Sequence, residues 1–188
     1  STEIGGRKMI LKEGGNIFKD ESGRALTQRI NQTDVKPTIA WLEQLTGLEL
    51  QDNTLGSTGR KPTSGDLDLA VDANQITKEQ LVAKLTQWAQ SLGLDPKQYV
   101  KKAGEVHLRT PIGGDPKRGF VQTDFMFGDP EWMKWSMRGS GPDSKYKGVH
   151  RHVLMSSIAK SMGLKWSYKL GLVDRATDKV VTKDPNKI

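Results

Sequence analysis

The sequence predicts an α/β (α+β) domain, a mixed or antiparallel sheet flanked by helices, with a short flexible N-terminal arm. Three observations predict it. Residues 66–72 (DLDLAVD) alternate strictly between acid or alanine and leucine or valine. A period of two is a strand signature, because successive side chains point to opposite faces. Residues 74–93 carry a helical stripe, Leu81, Leu85, Trp88 and Leu92, with Thr77 and Gln80 spaced as a capping box. Residues 106–127 hold two alternating segments around a Gly- and Pro-rich loop, which is hairpin chemistry.

The chain has 188 residues, a length that supports one domain or one domain with a small appendage. Hydrophobic residues are 35% and aromatics 6%. No apolar run approaches the ~18 residues of a membrane span, and no signal-like segment opens the chain. Cysteine is absent, so disulfides and thiolate zinc sites are excluded and the lean is cytoplasmic. The net charge of +7 is uneven. Residues 1–130 balance at 17 Lys+Arg against 17 Asp+Glu, whereas residues 131–188 hold 12 against 5. A basic end beside an acidic site is the footprint of a polyanion partner such as nucleic acid; a solvated basic tail is the alternative.

Residues 1–30 form the arm, rich in Gly, Lys and Glu, with apolar islands at Met9–Leu11 and Ile17–Phe18. Thr33 and Asp34 offer an N-cap, and Pro37 suits a first helical turn before Ile39, Trp41, Leu42 and Leu45. Gly47 ends that helix. A loop from Gly56 to Gly65 then leads into the alternating strand, where Asp66 and Asp68 share a face about 7 Å apart. Two carboxylates side by side repel, and a hard divalent cation such as magnesium relieves the repulsion. In the hairpin's return strand Val121, Thr123, Phe125 and Phe127 share one face and Gln122, Asp124 and Met126 the other. An acid among apolar neighbours is costly unless paired or metal-bound, so adjacency of the two strands would gather all three acids. Residues 131–137 predict a short helix, 150–162 a longer one, and 165–173 and 179–181 short strands.

Gly-Ser, a short loop, Asp-x-Asp and a later strand acid together resemble the nucleotidyltransferases of the DNA polymerase β superfamily. The likeness is closer to its family X polymerases, through TSGDLDLAV, Arg138-Gly139-Ser140 and a helix running to Gly163 and Leu164. It covers roughly residues 50–175. The resemblance implies a palm fold, with a catalytic core at 31–137 and a basic C-terminal subdomain at 138–188 that contacts nucleotide and nucleic acid. It implies two Mg2+ or Mn2+ ions on Asp66, Asp68 and Asp124, one bridged by Asp66 and Asp68, the other held by all three. It also implies triphosphate binding by Gly56, Ser57, Arg60, Lys61 and Gly65, with Arg138, Gly139 and Ser140 passing the sugar and base. Glycine at 56 would let a phosphate approach the backbone.

The chain departs from the family at Ser136 and Met137, where an aromatic pair is usual, and at Ser156, where a template-contacting arginine is expected. His107, His150 and His152 lack the partner set of a zinc site. The expected function is transfer of a nucleoside monophosphate from an NTP or dNTP to an acceptor hydroxyl, favoured as a nucleic acid 3′-OH, with release of pyrophosphate. AMP transfer to a protein or small molecule is the enzymatic rival. An inactive nucleic-acid-binding module of the same fold is the other.

Overall fold

A computed structural model describes residues 16–137, 159–160, 162–167, 171–177 and 179–183. The fold is mixed α/β. The chain enters through β1 (Ile30–Asn31), which pairs antiparallel with β2 (Thr63–Ser64). Between them runs α1 (Gln32–Thr46). After β2 come β3 (Asp66–Asp72), α2 (Lys78–Ser91), a single-turn helix α3 (Pro96–Tyr99), β4 (Val100–Ala103) and β5 (Glu105–Pro111). The hairpin returns as β6 (Phe120–Gly128) and is followed by α4 (Pro130–Met137).

The central sheet has the order β3-β6-β5-β4. β3 and β6 are parallel, and the other pairs are antiparallel. The period of two decides which face is which. Leu67, Leu69 and Val71 of β3, Val121 and Phe125 of β6, and Val106 and Leu108 of β5 are buried together against Val35, Ile39 and Leu42 of α1 and Leu81 and Leu85 of α2. Each such side chain contributes about 1.5–3 kcal/mol on leaving water. The opposite face carries the acids. Its downstream end is closed by a second cluster, in which Ala70 packs with Leu55 and Met133 of α4, and Met126 and Met137 pack around them.

The predicted capping box is present: Thr77 accepts from the Gln80 N–H, and the Gln80 side chain accepts from the Thr77 N–H. Asp72 closes the strand end by accepting the Asn74 N–H at 2.9 Å.

Four local expectations are corrected. The first helix begins at Gln32 with Asn31 as its N-cap, ahead of Thr33 and Asp34, because the Gln32 N–H bonds Pro62 O straight out of the β1–β2 pair. Pro37 therefore lies inside the helix, and Asp34 takes Arg118 at 2.5 Å. Leu92 is 55% exposed, since α2 stops at Ser91 and turns it away from the stripe. Trp88 does stay with the stripe: half-buried, it packs against the core and meets Trp41 edge-on, ring centroids 5.3 Å apart. Residues 165–173, expected as one strand, are two: β7 (Leu164–Ser167) and β8 (Gly171–Asp174) pair antiparallel, and β9 (Val180–Thr182) adds to β8.

Residues 16–30 are held more firmly than a loose arm. Phe18 and Ile30 are fully buried, the Ile17 N–H bonds the Gln122 side chain, and the Gln28 N–H bonds Phe120 O. Residues 1–15, the triad Arg138, Gly139 and Ser140, and residues 150–158 of the expected second long helix lie outside the described residues. No described helix is long and apolar enough to cross a membrane.

Candidate metal centre

Parallel pairing of β3 with β6 puts Asp68 opposite Asp124 and Asp66 opposite Gln122. The three carboxylates meet on the open face, with one oxygen from each lying within 4.8 Å of the others. All three are half-buried. The convergence follows from two local rules, the strand alternation that puts 66, 68 and 124 on outward positions and the pairing that sets their register.

The electrostatics follow from the crowding. Burial first, and then the neighbouring Asp124 carboxylate, push Asp66 up to about 6, with Arg29 working against the rise. Burial, then Asp66 and Asp124, push Asp68 up to about 8. Among the described residues no lysine or arginine forms an ion pair with any of the three acids. The partner of Asp124 is His107, whose Nδ1 lies 2.6 Å from Oδ1. That bond raises the His107 pKa above its ordinary value against the opposing effect of burial.

Oxygen-only donors, crowded and paired with no lysine or arginine among the described residues, fit a hard divalent cation and not a thiolate or imidazole metal. The residues able to hold it are Asp66, Asp68 and Asp124.

Beside the acids opens a cleft of about 320 Å³, lined by Ser57, Lys61, Thr63, Gly65, Asp66 and Gln122, with Asn16 and Arg29 from the N-terminal segment. The loop that forms its wall is fixed onto the acid strand. The Asp68 N–H donates to Thr58 Oγ1 at 3.0 Å, and the Leu55 N–H donates to Asp68 O at 2.8 Å. Gly56 sits at φ 59°, a left-handed conformation that favours glycine, and a Cβ there would meet open space. Gly65 answers to a neighbour: a Cβ would lie 3.2 Å from an Arg29 guanidinium nitrogen.

Of the residues expected to bind phosphate, Ser57, Lys61 and Gly65 line this cleft. Gly56 and the exposed Arg60 belong to the same loop but are not among its lining residues. Arg138, Gly139 and Ser140 lie outside the described residues.

Four participants escaped the sequence reading: Arg29, His107, Gln122 and Thr58. Arg29 donates through Nε to Thr63 Oγ1 at 3.0 Å and faces Asp66 from a segment with no motif of its own. His107 and Gln122 both stand at outward positions of recognised strands, so the alternation held a signal; their meeting at Asp124 needed the register. Scanned against models of known protein families and searched against curated proteins, the chain matches none.

Proposed function

We propose that this chain is a metal-dependent nucleotidyltransferase of the DNA polymerase β-like kind. It moves a nucleoside monophosphate from an NTP or dNTP to an acceptor hydroxyl and releases pyrophosphate. The observation that carries the reading is the convergence of Asp66, Asp68 and Asp124 within 4.8 Å at the edge of a cleft lined by Ser57, Lys61 and Arg29. A nucleoside triphosphate is the substrate whose charge suits both halves. Its phosphates meet the hydroxyl and the two cations, and its reacting end lies towards the acids.

In the reaction the acceptor hydroxyl gives its proton to solvent and its oxygen forms a bond to the α-phosphorus. The bond from that phosphorus to the bridging oxygen breaks, and pyrophosphate leaves with the electron pair. Two Mg2+ or Mn2+ ions held by the three carboxylates would activate the acceptor hydroxyl and stabilise charge on the leaving oxygen. Lys61 stabilises the charge gathering on pyrophosphate, and Arg29 holds the triphosphate in the cleft equally before and during the reaction. The loop from Gly56, anchored through Thr58 to the Asp68 backbone, fixes the triphosphate relative to the acids. The basic excess of residues 131–188, 12 Lys+Arg against 5 Asp+Glu, favours a nucleic acid 3′-hydroxyl as acceptor.

The test is a label-transfer assay with Mg2+ or Mn2+, each labelled nucleotide in turn, and single-stranded, primed or no nucleic acid. The expected result is label on the nucleic acid with equimolar pyrophosphate. Label on protein alone, without nucleic acid, would move the reading to nucleotidyl transfer onto a protein. No transfer under any combination would refute it.

A further inference from the structure

We propose that His107 and Gln122 are positioning residues: together they clamp one oxygen of Asp124 so that its other oxygen is presented to the metal-holding site. The inference rests on the metal-dependent reading above. Both donors converge on the same atom. His107 Nδ1 lies 2.6 Å from Asp124 Oδ1, and Gln122 Nε2 donates to that Oδ1 at 3.0 Å. A carboxylate oxygen offers about two lone-pair positions, so two donors fill Oδ1 and leave Oδ2 for other work.

The clamp is itself braced. Gln122 is 4% exposed, and its Oε1 accepts the Ile17 N–H at 2.9 Å, which fixes the amide with its nitrogen towards Asp124. His107 stands opposite Asp124 in the β5–β6 register, and Asp124 stands opposite Asp68 in β3–β6. The His107 and Asp124 side chains are 12% and 16% exposed, so water competes little for the bond. An acid pressed by two other acids would otherwise rotate away from them. Two donors on one of its oxygens hold it at the meeting point.

The experiment is a Mn2+ titration of the metal-free full chain and three variants, with melting curves recorded without metal. His107→Phe keeps the ring and removes the donor. His107→Asn returns an amide N–H near the Nδ1 position. Gln122→Leu removes the second donor. The clamp predicts that His107→Phe weakens Mn2+ binding by about 10–100-fold, the usual scale for an orienting partner, while still melting as a cooperatively folded protein. His107→Asn restores most of the loss, and Gln122→Leu weakens binding in the same direction.

Wild-type affinity in His107→Phe, or an Asn variant no better than the Phe variant, overturns the clamp. Should His107→Phe not fold, the Gln122→Leu titration decides it on the same criterion. The wild-type transfer assay separates this inference from the reading beneath it. A wild type that binds Mn2+ through the clamp yet transfers nothing overturns the transferase reading alone. A wild type that transfers while His107→Phe binds normally overturns the clamp alone, and one that binds no Mn2+ overturns both.

Discussion

The two halves of the open sheet face carry opposite charge and treat it differently. On β3 and β6 stand Asp66, Asp68 and Asp124; across on β5 and β4 stand His107, Arg109 and Lys101, which outnumber the acid Glu105 on that side. The cations beyond His107 are compensated within the chain. Arg109 donates to Leu26 O at 3.1 Å and stacks 4.2 Å from the Phe120 ring centre. Lys101 donates to Ile17 O at 2.8 Å and lies over the Phe18 ring. They pin the N-terminal segment down. The acids repel one another and have only His107 as an ion-pair partner among the described residues. Satisfied charge builds structure, whereas crowded like charge costs stability, a cost that the proposed metal would relieve.

If that contrast is right, the two halves should fail in opposite ways. The largest expected effect is on the acid side. Asp68→Asn should cut transfer by about 10²–10³-fold or more, the scale of losing a group that manages transition-state charge. Above about pH 8, where Asp68 carries its charge, the same variant should melt higher than wild type without metal, because one repelling charge is gone. A gain of about 1 kcal/mol would read as roughly 2–4 °C.

On the basic side the order reverses. Arg109→Met should cost about 1–2 kcal/mol by removing a charged hydrogen bond and a stacked cation, measurable as a shift in denaturation midpoint. Its transfer rate per folded molecule should stay close to wild type. A large loss of turnover there would blur the division.

A pH series sharpens it further. Asp66 and Asp68 titrate near 3.8 when unfolded and are raised to about 6 and about 8 in the fold. The folded chain then binds protons more tightly than the unfolded one, so metal-free stability should fall as pH rises from about 4 to about 8. His107, raised by Asp124, acts in the same sense as pH passes through its own titration. Saturating Mn2+ should flatten the slope, which a melting series with and without metal would report. The smallest effect is expected at Arg29, which touches only one end of the cleft. Arg29→Ala should raise the KM for nucleotide by about tenfold or less with little change in kcat, a loss near 1.4 kcal/mol of uniform binding.

What the sequence made legible was local. The alternation in β3 and β6, the Thr77–Gln80 capping box and the Gly- and Pro-rich hairpin loop each declare themselves within a few residues, and each is found where expected. The three acids could be gathered because one assumption, that β3 neighbours β6, was enough. The rest depended on distant parts of the chain. Arg29 enters the cleft through the pairing of residues 30–31 with 63–64, a contact between segments with no shared pattern. His107 needs the hairpin register before it can be seen to face Asp124, and read by itself it is an isolated histidine. The start of α1 moved from the predicted cap because the strand pair set the entry, which outweighed the local preference of Thr33 and Asp34. The antiparallel pairing of β7 with β8 divides what reads as one run, and the pattern of apolar residues over 165–173 does not announce that pairing.

The most direct measurement is a calorimetric titration of Mn2+ into the metal-free wild type and Asp68→Asn at pH 8, both checked as folded. Cation binding in the wild type, lost or weakened by orders of magnitude in the variant, is the predicted outcome. Equal binding by the two proteins, or heat from neither, would contradict a shared metal site on Asp66, Asp68 and Asp124.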